Sequence, residues 1–237
     1  KEMLQGVDKS KILIQELFGE NTNNWETRKG YEGTPFIWCT VTNFGERPGL
    51  FGKLQRFSDE VYRIQNGPYK EFGQGVGIMP EGIDNNPAVY DLLLELGWHK
   101  DHVNVHNWIK TYVKARYGKT DISIQNAWGL FLQTIYSSDL GYREGAPENI
   151  LCSRPSLSIK SVSSWGAIKK SYDIQKFHEA VLLFSKAALK FNGSETYQID
   201  LINFLRQDIA NKADTLYSQI VQSYDQKNRH DFKKLSG

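Results

Sequence analysis

Cysteine is scarce in this 237-residue chain: Cys39 and Cys152 are the only two, too few for a disulfide framework or a zinc pattern. They leave the compartment undecided. Charge of one sign is equally lacking. The formal net charge is +2, and no run of Lys or Arg is long enough to follow a phosphate backbone, so nothing in the composition argues for a nucleic acid or an anionic membrane as partner. No stretch approaches the roughly 20 apolar residues of a membrane span. The opening KEMLQGVDKS lacks the apolar core of a signal peptide. There is no repeat of fixed period and no low-complexity tract, which argues against a solenoid. The serine-hydrolase elbow G-x-S-x-G is missing, and Cys39 sits inside a hydrophobic run, so acyl-transfer chemistry has no local signature.

What is present is enough for a substantial core: 40% hydrophobic residues, 24% charged and 13% aromatic, in a length that suits one or two domains. The texture changes near residue 100. Before it, short β-rich runs (KILIQELF at 11–18, PFIWCTVTNF at 35–44, GQGVGIM at 73–79) alternate with helical or irregular pieces, a pattern that predicts a parallel α/β arrangement. After it, strands are hard to find. Val105, Trp108, Ile109 and Tyr112 recur at helical spacing behind Asp101 as the expected N-cap, with Gly118 as the stop. Ile124, Ala127, Trp128, Phe131 and Ile135 repeat the pattern, and two longer amphipathic helices follow, broken at Asn192-Gly193. The expected division is therefore 1–100, α/β, and 101–237, all-α.

One carboxylate stands out by position. In GIMPEGIDNNPAVYDLL, Glu81 falls between a glycine-punctuated strand and a helix announced by Asn86-Pro87, with Val89, Leu92, Leu93 and Leu96 as its apolar face and Gly97 as its end. A strand-to-helix junction in a barrel is the C-terminal face, where catalytic groups are carried. The competing reading is that Glu81 caps or salt-bridges its own loop. Glycines at 73, 75 and 77 predict one strand face stripped of side chains for a ligand or a neighbouring backbone. They are not a dinucleotide fingerprint, because Ile78 stands where a third glycine would be required. His102 and His106 share the spacing of zinc ligands on a helix, but no Glu follows His102 to act as base, and a surface helix start is the better account.

PFIWCTVTNFGERPGLFGKL followed by GVGIMPEGIDNNPAVYDLLLELGW resembles the α-N-acetylglucosaminidase family. YVKARYG, AWGLFLQTIY and RPSL extend the likeness over nearly the whole chain, thinning after about residue 190. The resemblance implies the C-terminal part of a (β/α)8 barrel followed by an all-helical domain. It implies a retaining exo-glycosidase that removes terminal α-linked N-acetylglucosamine, with no metal or organic cofactor, since two carboxylates suffice. Glu81 aligns with the nucleophile. Trp38 and Cys39 fall in the segment expected to line the pocket, Trp38 as an apolar wall or else as core. Asn43 is expected to bond sugar hydroxyls or a carboxylate, or else to cap the turn before Gly45. Trp165 matches a tryptophan near the barrel mouth, or else an aromatic at the domain interface. Met79 is expected to pack beneath the site.

The acid/base glutamate of the family lies upstream of the IWC segment. Glu16, Glu20 and Glu26 are the candidates by position and none matches its motif, although Glu20 would stand on the correct face. The expected partners are thus a glycan bearing terminal α-N-acetylglucosamine and an upstream N-terminal portion of the same protein. The family's analogy gives a lysosomal, periplasmic or extracellular location. The alternative from a different class is a non-catalytic carbohydrate-binding or assembly subunit that keeps the scaffold.

Overall fold

The computed structural model describes residues 4–82, 86–137, 148–162 and 169–237; Trp165 lies outside them. Three parallel strands, β1 (Ile14–Glu16), β2 (Phe36–Thr40) and β3 (Gly73–Ile78), form a sheet in the order β1-β2-β3. Each lies within a run expected from the sequence. Between β1 and β2 come two single turns, α1 (Asn24–Thr27) and α2 (Lys29–Gly33). The second is wound left-handed, with φ near 50° to 60° at Lys29, Gly30, Tyr31 and Glu32. Such winding costs about 1–2 kcal/mol per L-residue. It is offset by burial of Tyr31, whose ring meets Phe36 at 5.4 Å and whose phenol bonds Glu16. Nothing in the local sequence announced this turn.

Helices α3 (Leu54–Asn66) and α4 (Pro87–Leu96) cover one face of the sheet. Leu54, Phe57, Val61 and Ile64 of α3 recur at helical spacing and are all buried, the pattern of a helix with one core-facing stripe. Phe57 packs against Trp38 at 6.0 Å. A register shift between β2 and β3 pairs Phe36 with Gly73 but Ile37 with Gly75, so one residue of β3 is unmatched. The shift corrects one expectation. Gly73 lies on the helix-covered face, where a Cβ would come within 2.5 Å of Ile64, and only Gly75 and Gly77 share the opposite face with Ile37 and Cys39.

The remaining helices are α5 (Val105–Tyr117), α6 (Ile122–Gln133), α7 (Ile174–Ser185), α8 (Glu195–Asp225) and α9 (Arg229–Ser236). Asn104, rather than Asp101, caps α5, its side chain accepting from the Asn107 amide at 3.0 Å; Gly118 ends the helix at φ 77°. The core of this half is aromatic. Phe131 stacks on Phe204 at 4.0 Å and meets Trp128, Phe177 and Phe184 within 5.7 to 6.1 Å. One buried ion pair joins α5 to α8: Arg116 donates twice to Asp200, at 2.6 and 2.8 Å, and the Tyr117 hydroxyl adds a third bond at 2.7 Å. A bidentate pair satisfied in this way avoids the cost of an isolated buried charge.

The two halves meet along the loop that follows β2. The Leu50 amide donates to Gln207 of α8 at 3.0 Å, and the Gly52 amide to the Ile135 carbonyl at 2.9 Å. Arg47 pairs with Glu148 at 3.4 Å. Asn86 does not cap α4 with its side chain. It adopts φ 57°, and its amide oxygen instead accepts from Phe51 at 2.9 Å while its NH₂ donates to Gly49 at 3.3 Å. Phe131→Ala should therefore lower unfolding free energy by about 3–5 kcal/mol with the denaturant slope retained. A loss under 1 kcal/mol in an equilibrium urea titration of the complete protein would contradict the account of this core.

Candidate active site

The candidate site is built where the chain leaves the C-terminal ends of β2 and β3. After Thr40 the backbone turns sharply: the Asn43 amide donates to the Val41 carbonyl at 2.5 Å, across Thr42 at φ 55°. A β-branched residue in the left-handed region is strained by about 1–3 kcal/mol and persists only where its surroundings over-determine it. The determining group is Glu20. Its carboxylate, 1% exposed, accepts from the Val41 amide at 3.0 Å and the Thr42 amide at 2.7 Å, and Lys53 lies near enough to stabilise its charge. Burial nevertheless raises its pKa above the ordinary 4.5. Glu20, expected from the sequence to stand on the correct face, serves as a buried strut for the turn.

Glu81 sits on the loop after β3 and is exposed. Its amide donates to the Asn43 carbonyl at 3.1 Å, and its carboxylate accepts from the Gly45 amide. The Asn43 NH₂ in turn donates to the Gly82 carbonyl at 2.8 Å. The β2 and β3 loops are thereby stitched to each other on both sides of Glu81. Asn43 is 2% exposed and makes no side-chain cap of the following turn. Its amide faces the loop that carries the carboxylate.

Of its two expected readings, Trp38 takes the core one. Its ring is fully buried on the helix-covered face, against Phe57 and close under Gly19, so it is core and does not wall a pocket. Strand alternation decides this: Trp38 and Cys39 point to opposite faces. Cys39 lies on the other face, its sulfur 2.8 Å from where a Gly77 Cβ would stand. The thiol is pushed up to about 11 by burial first and by Glu16 and Glu20 second. Met79 is half-buried and donates its amide to Thr40 at 2.8 Å. Trp165 falls outside the described residues.

The two other upstream glutamates singled out from the sequence are engaged elsewhere. Glu16 accepts from the Asn24 and Trp25 amides, each at 3.0 Å, and burial raises its pKa. Glu26 pairs with Arg63 at 2.6 Å. The histidines go to separate partners, His99 to Glu95 at 3.1 Å and His102 to Asp59 at 2.7 Å. Sequence reasoning missed Tyr90, one turn into α4, whose hydroxyl donates to the Gly82 carbonyl at 3.1 Å. No local signal marks it, because the pairing crosses from a helix to a loop.

Parallel strands feeding outer helices, followed by a helical bundle, make this chain the C-terminal part of a (β/α)8 barrel with its all-helical domain, an architecture shared with glycoside hydrolases of known structure. The chain belongs to the α-N-acetylglucosaminidase family. Residues 1–100 match the alpha-N-acetylglucosaminidase (NAGLU) tim-barrel domain, and residues 108–237 the C-terminal domain of the same family. It is 30% identical to the human alpha-N-acetylglucosaminidase over 225 residues, 94% of this chain and 29% of the human protein. Among solved structures it resembles the family 89 glycoside hydrolase of Clostridium perfringens in complex with PUGNAc, with a TM-score of 0.91 at 34% identity, over 100% of this chain and 26% of that one. A form of the bacterial enzyme with two glutamates replaced by glutamine, in complex with its substrate GlcNAc-alpha-1,4-galactose, matches with a TM-score of 0.88 at 34% identity, over 95% of this chain and 25% of that one. The chain thus spans under a third of the length of these relatives.

The raised pKa of Glu20 has a defined sign. In the window just above 4.5 the folded protein holds a proton there that the unfolded chain releases, so this group's contribution to stability is full at lower pH and declines as pH rises through its folded pKa. Thermal unfolding of wild type and Glu20→Gln should show the wild-type advantage shrinking as pH climbs above 4.5. A pH-independent difference would refute this.

Proposed function

We propose that the complete protein is a retaining exo-glycosidase that removes terminal α-linked N-acetylglucosamine, with Glu81 as its nucleophile. The carrying observation is the placement of Glu81: an exposed carboxylate at the C-terminal end of a parallel strand, its backbone tied to the neighbouring βα loop, in a chain of this family. Loops at that face of a barrel carry the reacting groups. The bacterial relative recorded with its α-linked disaccharide while two glutamates are replaced supports a mechanism with two carboxylates.

In that mechanism the Glu81 carboxylate attacks the anomeric carbon and displaces the aglycone oxygen. A second carboxyl, about 5–5.5 Å away, first protonates that oxygen and then activates the water that releases the sugar. Glu16, Glu20 and Glu26 are occupied, as described above, and the chain spans under a third of its relatives' length, so in this reading the upstream N-terminal portion supplies the acid/base. The glycan and the N-terminal portion of the protein are the two partners of this reading, and the family's analogy gives a lysosomal, periplasmic or extracellular setting. In the Glu81 carboxylate's bond to the Gly45 amide we see the loop donor that holds the nucleophile at rest.

Glu81→Gln in the complete protein should cut turnover of an aryl α-N-acetylglucosaminide by at least about 10²-fold, the scale of one positioned catalytic group. Unchanged turnover would remove both the nucleophile assignment and the glycosidase reading. The 237-residue chain alone should show no measurable hydrolysis, since want of the general acid by itself costs about 10² to 10⁴ in rate. Full activity from the isolated chain would show that the acid is within it.

A further inference from the structure

The carbonyl of Gly82, one residue beyond Glu81, is held by two side chains from different elements: Asn43 at 2.8 Å from the β2 loop, and the Tyr90 hydroxyl at 3.1 Å from α4. The two donors also touch each other, the Asn43 amide lying against the Tyr90 oxygen. On another side the stem of Glu46 packs over Gly82, 3.0 to 3.2 Å from where a Cβ would stand. Together with the bond from the Glu81 amide to the Asn43 carbonyl, these contacts hold the backbone on both sides of the Glu81–Gly82 peptide, at the Glu81 N–H and at the Gly82 carbonyl, and so restrain the direction in which the Glu81 side chain leaves the backbone.

From this arrangement we infer that Tyr90 is a positioning residue for Glu81; the inference rests on the reading of Glu81 as nucleophile. Three features make Tyr90 the rigid member of the clamp. Its ring is 8% exposed, so the hydroxyl has little room to swing away. Its helix is rooted at the first turn, where Pro87 sets the backbone and Asn86 is bonded to both Phe51 and Gly49. Burial pushes the phenol up to about 12, so it remains a donor at any working pH. Asn43, by contrast, rides on the strained turn at Thr42 and follows that loop. A helix-borne hydroxyl therefore references the catalytic loop to the scaffold, and a small displacement of a reacting group is costly in rate.

The test is Tyr90→Phe in the complete protein, which deletes one oxygen and keeps the ring. We expect kcat on an aryl α-N-acetylglucosaminide to fall about tenfold, with KM within twofold and Tm within about 2 °C of wild type. Amide exchange in the peptide spanning Glu81 and Gly82 should rise at least threefold, while the peptide covering β2 stays protected. A well-folded variant with wild-type kcat and unchanged exchange at Glu81 overturns the inference. A lower Tm with kcat per folded molecule unchanged also overturns it, since that is what a merely structural hydroxyl would give. Measured beside Glu81→Gln, the outcomes separate: if that variant is inactive and Tyr90→Phe is not impaired, only the positioning role fails. If Glu81→Gln retains full activity, the nucleophile reading itself fails.

Discussion

The buried carboxylate of Glu20 is the contact on which the site depends. It holds two amides at the end of β2 in an orientation that forces Thr42 into the left-handed region, and this turn aims Asn43 across to the next loop. Without an acceptor there, two buried N–H groups would be left unpaired at a cost of about 1–3 kcal/mol each, and the turn would relax to an ordinary extended exit. Burial raises the pKa of Glu20, and the two amide bonds that hold the strained turn oppose that rise. A single oxygen of Glu20 takes both amides, at 3.0 Å from Val41 and 2.7 Å from Thr42, so one side chain fixes two successive peptide groups.

A second constraint comes from the helical half. The loop from Arg47 to Lys53 carries few side chains that could form a core of its own, and the amides of Leu50, Phe51 and Gly52 are taken up by Gln207 on α8, by Asn86 at the start of α4 and by the Ile135 carbonyl just beyond α6. The helical domain thus acts on the barrel loops through directed hydrogen bonds. Its own rigidity comes from the aromatic cluster about Phe131 and from the satisfied Arg116–Asp200 pair. Helix α8, with 31 residues and about 46 Å of length, spans from that cluster past the loop.

The site was partly legible in the sequence. The placement of Glu81 on a loop between strand and helix was legible because a strand pattern, a glycine break and an Asn-Pro helix start bracket it within a few residues. Its neighbours were harder. For Trp38 the sequence left a pocket wall and a core position open, and the pleat decides for the core by sending its indole to the helices. Asn86 stands at the N-cap position of α4 as its Asn-Pro signature predicts, but its side-chain amide went to a loop more than 30 residues away in sequence. Asp101 gave way to Asn104 because the cap falls to the residue whose side chain meets the amide three positions on.

By itself the sequence determined the element types, the change of texture near residue 100, the family motifs and the position of Glu81. These rest on periodicities of two and 3.6 residues and on glycine and proline at turns, all of which act over short stretches of chain. Only the tertiary structure decided which face each strand residue takes after the register shift, that α2 winds left-handed to bury Tyr31, that Glu20 is a strut, and that Tyr90 and Asn43 meet at the Gly82 carbonyl. Those outcomes depend on hydrogen bonds between residues from 8 to 39 positions apart in the chain, and pairings over that range are selected by packing of the whole fold.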